Sequence, residues 1–263
     1  MKRFESRTAM VTGGARGLGR AIAIELAKEG ADLVIGDLLE DEAERTAIDI
    51  RGLGRRALSL RLDVTDAGSI QDGISRAVDF LGRINVLVNN AGVGPEHLGA
   101  EVEGADWDLC YRVNLRGVWA VSTAVAPHMR AGGGGRIVNI SSVAGRQGGT
   151  GLAPYSASKA GCINLTQSLA ASLGRHNINV NAVCPGLIWT DMWRKTEGQI
   201  QGDHDPEVVN RRQAFEAAVA STCLLGREQT PEDVARAVCF FASDDAKNVT
   251  GQALNVDGGI RLN

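Results

Sequence analysis

Val11-Thr12-Gly13-Gly14-Ala15-Arg16-Gly17-Leu18-Gly19 joins a short apolar run, Ala9 to Thr12, to a helix-length amphipathic segment, Arg20 to Glu29. Glycines let the chain turn tightly and bring main-chain N–H groups close to a pyrophosphate, and the helix that follows turns its positive dipole end towards negative charge. In that segment Ile22, Ala23 and Leu26 lie towards one side, and Gly30 marks its C-terminal stop. Strand, glycine turn and helix in this order are the opening of a dinucleotide-binding unit.

The next apolar run, Asp32 to Gly36, leads to Asp37, 18 residues beyond Gly19. A carboxylate there accepts hydrogen bonds from an adenosine ribose and repels a 2′-phosphate, which favours NAD over NADP. Arg16 argues the other way, since a basic side chain in the turn could meet a 2′-phosphate. Further apolar runs follow at Ala57 to Leu62, Val86 to Asn89, Arg136 to Ile140, Asn179 to Val183 and Ala253 to Val256, with helix-length segments between. The alternation predicts an α/β fold: a doubly wound parallel sheet of about seven strands, covered by helices on both faces. We find no repeat or linker that would divide the chain, so residues 1–263 are expected to form one domain. Gly132-Gly133-Gly134-Gly135 reads as a helix-to-strand connection. The polar, weakly periodic stretch from Trp193 to about Thr222 reads as a lid, spanning about 190–225.

Composition narrows the classes of function. The 263 residues carry a net charge of −3 without a basic block, which argues against nucleic-acid partners. The polar start, Met1 to Arg7, has no signal-peptide core and no run approaches membrane-spanning length, so a cytoplasmic location and no membrane partner are expected. Cys110, Cys162, Cys184, Cys223 and Cys239 are scattered and read as small buried hydrophobes. His97, His128, His176 and His204 lack metal-ligand spacing, and no metal is expected.

Chemistry concentrates further along. Tyr155 and Lys159 stand four positions apart in Pro154-Tyr155-Ser156-Ala157-Ser158-Lys159, 13 residues after Ser142. In a helix this spacing sets an ammonium beside a phenol, and the fixed positive charge favours the phenolate. Tyr155 is thereby a candidate proton donor and acceptor. Ser142 offers a neutral hydroxyl that can donate to an oxygen carrying developing charge. Neither Ser141 nor Ser142 sits in a G-x-S-x-G turn, which disfavours a serine hydrolase.

Together these residues resemble the short-chain dehydrogenase/reductase superfamily, from about Thr8 to Gly259. The turn from Thr12 to Gly19 looks like the family's cofactor turn, with Gly13, Arg16, Gly17, Leu18 and Gly19 as contacts. Asp63-Val64 is similar to its adenine-contacting pair, and Asn89-Asn90-Ala91-Gly92 to its strand-four signature. Pro185-Gly186-Leu187-Ile188-Trp189-Thr190 resembles the segment bordering the nicotinamide carboxamide, with Pro185, Gly186, Ile188 and Thr190 as contacts. Ser142, Tyr155 and Lys159 fall on the catalytic motif, and Asn114, in Val113-Asn114-Leu115, on its fourth position.

The resemblance implies a Rossmann-type fold and NAD-dependent interconversion of a secondary alcohol and a ketone. Tyr155 would transfer the proton, Ser142 would orient the substrate, Lys159 would hold the nicotinamide ribose, and Asn114 would bind a water linking Lys159 to solvent. The substrate class implied is a polyol, a diol or a small hydroxy compound. Two rivals stay open: a 3-oxoacyl thioester reductase and a dinucleotide-binding regulator without turnover. Arg146, Gln147, Trp189, Met192 and Trp193 are candidate substrate-wall residues, and Gln213 and Phe215 candidate lid residues. Small residues along the catalytic helix (Ala157, Ala160, Gly161, Ala170, Ala171) and the family's habit point to a homotetramer.

Overall fold

A computed structural model describes residues 2–149, 151–190 and 211–262. Seven strands, β1 (Thr8–Thr12), β2 (Asp32–Asp37), β3 (Ala57–Arg61), β4 (Val86–Asn89), β5 (Gly135–Ile140), β6 (Ile178–Pro185) and β7 (Ala253–Val256), form one sheet in the order β3-β2-β1-β4-β5-β6-β7. Every pairing is parallel. The connecting helices are α1 (Gly17–Lys28), α2 (Glu40–Gly52), α3 (Ala67–Leu81), α4 (Gly104–Tyr111), α5 (Val118–Ala131), α6 (Ala153–Leu173), α7 (Arg211–Thr222) and α8 (Pro231–Ala242).

The strands are apolar at nearly every position because both faces of the sheet are covered. Ala9 and Val11, Leu33 and Ile35, and Val86 and Val88 point to one face, where α1, α2 and α8 pack. Met10, Val34 and Leu87 point to the other, under α3, α5 and α6. On α1, Ile22 and Leu26 are fully buried, each contributing about 2 kcal/mol. The five cysteines are all buried and free.

The order of the strands reverses between β1 and β4, where successive crossovers leave for opposite faces and open a crevice at the carboxyl ends of the strands. Strand β2 runs to Asp37 itself, placing that carboxylate on the rim of the crevice. Some boundaries differ from the sequence reading. Helix α1 begins at Gly17 rather than Arg20, and β6 extends from Ile178 to Pro185 rather than Asn179 to Val183. Residues 211–222, read as the weakly periodic end of a lid, are helical, with Phe215, Val219 and Cys223 forming a single buried stripe against Leu187, Trp189 and Ile260.

Candidate active site

The turn after β1 is shaped by close approaches. Gly13 has φ +64°, and a Cβ built there would stand 2.7 Å from the Ala91 Cα. A Cβ on Gly19 would fall on the Gly13 carbonyl oxygen, so neither position tolerates a side chain. Asn90 Nδ2 donates to the carbonyls of Gly13 (2.7 Å) and Thr12 (3.2 Å), and the Thr12 hydroxyl oxygen accepts from the N–H groups of Asn90 and Ala91, both at 3.2 Å. These bonds join the ends of β1 and β4. The Asn90 amide therefore shapes the turn from within.

Arg16 is exposed and extended at the N-cap of α1, but its side chain makes no cap hydrogen bond, and the first turn has no acidic residue. Helices α3 and α8, by contrast, are capped by Asp66 and Thr230. The uncapped N–H groups at Gly17, Leu18 and Gly19 suit an anion, and a Cβ built on Gly17 meets nothing within 4 Å. Asp37 accepts from Ala15 N–H at 2.9 Å through one carboxylate oxygen and from Leu39 N–H at 3.1 Å through the other. Since a carboxylate has about four acceptor positions, roughly two are left for ribose hydroxyls. The cradle thus fits an adenine dinucleotide.

Asp63 accepts from the Thr65 N–H (2.8 Å) and hydroxyl (2.7 Å), and the main-chain donor holds its carboxyl below the usual range. Val64 is buried beside it, against Gly117.

The four candidate catalytic residues come from three elements. Asn114 is buried in a π-helical turn, Arg112–Gly117, which widens the rod between α4 and α5, as such turns often do at functional sites. Its Nδ2 donates to Val93 O (2.9 Å) and Ser158 Oγ (3.0 Å), and its Oδ1 accepts from Val93 N–H at 2.9 Å. Both amide hydrogens are engaged, so a water bound here must donate to an Asn114 oxygen. The Ser158 hydroxyl donates to Tyr155 O at 2.7 Å, tying the rod to α6. Ser158 was missed in the sequence, although it lies inside the motif.

Lys159 is buried, and its Nζ donates to Ile140 O at 2.9 Å and lies 5.6 Å from the Tyr155 ring centroid. A Cβ on Gly92 would stand 3.3 Å from both Lys159 Nζ and Asn114 Oδ1, so the end of β4, the π turn and α6 converge there. Ser142 caps a short 3₁₀ turn, Val143–Gly145, its oxygen accepting from Ala144 N–H at 3.1 Å while its hydroxyl hydrogen stays available. That turn is docked on α6: Ser141 Oγ donates to Lys159 O at 2.8 Å, and Gly145 packs against the Lys159 main chain. Beneath the site a buried seam joins the sheet to its helices. Asn89 Nδ2 donates to Ser122 Oγ and Asn139 Oδ1, both at 2.8 Å, and Asn139 Nδ2 donates to Thr166 Oγ1 at 2.9 Å.

Pro185 ends β6. Gly186 N–H donates to Val256 O at 3.0 Å, Ile188 is buried and bridges to Gln229, and Thr190 is half-buried at the edge of the described residues. Among the wall candidates, Arg146 is directed elsewhere: its guanidinium donates to Asn255 Oδ1 (3.0 Å) and to Ala253 O, pinning the 3₁₀ turn to β7. Gln147 and Gln213 are exposed. Phe215 is fully buried, its ring centroid 5.1 Å from that of Trp189, because the helical stripe of α7 needs an anchor. Met192 and Trp193 lie outside the described residues.

The loop after Gly92 is held by Asp106, also missed in the sequence. Its carboxylate accepts from the N–H groups of Glu103 (2.9 Å), Glu96 (2.7 Å) and His97 (3.3 Å) and contacts His97 Nδ1 at 3.2 Å. These donors, Glu103 first, pull its carboxyl down to about 2. A depressed carboxylate contributes stability above its unfolded pKa of about 4 and loses it as pH falls through the folded value. Asp106→Asn offers fewer acceptors and is expected to lower the urea midpoint at neutral pH, with the gap to wild type closing between about pH 4 and pH 2. A gap that stays constant across that range would refute the assignment.

Fold and site together place the chain in the short-chain dehydrogenase/reductase superfamily. The family model described as enoyl-(acyl carrier protein) reductase matches residues 13–261, and the chain belongs to this family of oxidoreductases. It is 39% identical to the 3-oxoacyl-(acyl-carrier-protein) reductase FabG of Thermotoga maritima, covering 98% of this chain and 99% of the relative. It is 38% identical to an L-rhamnose 1-dehydrogenase (NAD(P)+) of a Sphingomonas species, covering 100% and 99%. The crystal structure of carveol dehydrogenase from Mycobacterium avium in complex with NAD superposes with a TM-score of 0.92 at 33% identity, covering 99% of each chain.

Proposed function

We propose that the protein interconverts a secondary alcohol and a ketone with NAD(H), the substrate being a polyol, a diol or a small hydroxy compound. The observation that carries this reading is the convergence of Lys159 and Asn114 on Gly92, one helical turn from Tyr155 and at the crevice where β1 and β4 diverge. The dinucleotide would be held by the turn from Gly13 to Gly19 with Arg16, by Asp37, by Asp63 and Val64, by Asn90 to Gly92, and by the segment from Pro185 to Thr190. When bound it supplies or accepts the hydride. Tyr155 gives its phenolic proton to the carbonyl oxygen, or takes the alcohol proton in the reverse direction. Ser142, with its hydroxyl hydrogen uncommitted, donates to the same oxygen and orients it. Lys159 stabilises the phenolate, and two of its three N–H groups remain for a ribose. Asn114 holds a water through an oxygen and so connects Lys159 to solvent.

A 3-oxoacyl thioester reductase is the second reading, favoured by the family description and by the Thermotoga maritima relative. A spectrophotometric panel of polyols, diols, hydroxy acids, aromatic alcohols and 3-oxoacyl thioesters, each assayed with both dinucleotides, separates the two. NAD-linked alcohol oxidation supports the first, and turnover confined to thioesters with NADPH replaces it.

The lid over about 190–225 and a cytoplasmic location belong to the same proposal; among the described residues no helix is long and apolar enough to cross a membrane. So does a homotetramer. Gly161 packs on Leu115 and Ala170 is buried, both within the chain, but Ala157, Ala160 and Ala171 line an exposed face of α6. Trp107, Tyr111 and Trp119 are about half exposed along α4 and α5, an apolar surface suited to a second copy. Light scattering is expected to give the mass of four chains; a monomer would refute the assembly and leave the chemistry standing.

A further inference from the structure

The glycine turn is held from behind by a hydroxyl that lies outside every motif. Thr46 sits on the buried face of α2 with Ala43, Ala47 and Ile50, and is fully buried. Its Oγ1 donates to Ala15 O at 3.0 Å, while Ala15 N–H donates to Asp37 at 2.9 Å. Both main-chain polar groups of Ala15 are thus fixed by side chains of β2 and α2, and Ala15 itself is buried. In a planar trans peptide the C=O and the next N–H point in opposite directions. Holding the Ala15 carbonyl down on Thr46 therefore aims the Arg16 N–H away from Thr46 and α2, and a Cβ built on the following Gly17 meets nothing within 4 Å.

We infer that Thr46 is a positioning residue for the dinucleotide: through Ala15 it orients the Arg16 N–H towards the pyrophosphate. The inference rests on the reading that this turn holds the dinucleotide. Thr46 acts on the phosphate end, common to NAD and NADP, and so affects affinity without affecting preference. Asp37 does both.

Thr46→Val keeps the shape and removes the donor, leaving the Ala15 carbonyl unpaired. NADH fluorescence titration is expected to show a Kd raised about tenfold, as for the loss of a buried hydrogen bond, with NADPH weakened by the same factor. Thr46→Ser should return both constants to within about threefold of wild type, because the hydroxyl is restored. An unchanged Kd in Thr46→Val, a rise that serine does not rescue, or a changed NADH to NADPH ratio would each overturn the inference. Hydrogen exchange on the wild type gives a second readout that needs no variant to fold: the Arg16 amide should gain protection when NADH binds, and no gain overturns the inference. Wild-type protein that binds neither NADH nor NADPH would sink the cofactor reading itself, whereas wild-type binding with an unaffected valine variant would sink only the role of Thr46.

Discussion

Tyr155→Phe is expected to lower kcat by about three orders of magnitude while leaving fold and NADH affinity close to wild type, since only the transferable proton is removed. The phenyl ring stays under the Lys159 ammonium, 5.6 Å from the present ring centroid, so the favourable contact between cation and aromatic face persists. The main-chain bond from Ser158 to residue 155 involves the carbonyl and is untouched. The measurement is kcat on the best substrate of the panel, alongside circular dichroism and an NADH titration. Turnover within about tenfold of wild type would assign the proton to another donor, because general acid–base catalysis contributes at least about a hundredfold.

Asp37→Ala is expected to raise the NADP to NAD ratio of kcat/KM about a thousandfold, since charge-assisted hydrogen bonds to the ribose and repulsion of a 2′-phosphate each amount to about 2 kcal/mol. The structure adds a qualification that the position of the residue in sequence does not reveal. Asp37 also receives the Ala15 N–H, so its loss loosens the turn and weakens both dinucleotides. The preference ratio, and not the affinity for either one, is therefore the quantity to measure. Asp37→Asn keeps one oxygen acceptor and removes the charge, so comparing the two variants separates repulsion from turn geometry. An unchanged ratio in both would mean that another group reads the ribose.

The strands were legible because burial on two faces leaves a signature that sequence alone carries: short apolar runs, bounded by glycines and polar caps, at crossover spacing. Helix α1 shows where that signature fails. Gly17 and Gly19 are poor helix formers, so propensity delays the helix to Arg20, yet the helix begins at Gly17, with Gly19 packed against the Gly13 carbonyl and Asn90. Helix α7 was hidden because its buried stripe is only Phe215, Val219 and Cys223, set among alanines and polar residues that show no apolar period. Tyr155, Lys159, Ser142 and Asn114 were visible through their motif, but their supports were not. A threonine within the stripe Ala43, Ala47, Ile50 and an aspartate beside Trp107 look unremarkable until one asks which buried group each must satisfy. Those partners lie far along the chain or on the main chain, where side-chain patterns leave no trace.

The π turn at Arg112–Gly117 makes the count of residues in its rod a functional quantity. Removing a single amino acid between Trp107 and Trp119 would restore regular winding, because the wide turn holds one residue more than an α-helical turn, and would leave the helices on either side nearly in phase. Asn114 would then lose the wide turn that carries it, even with every surviving side chain unchanged. Between these landmarks the gene is constrained in its reading length as well as its spelling.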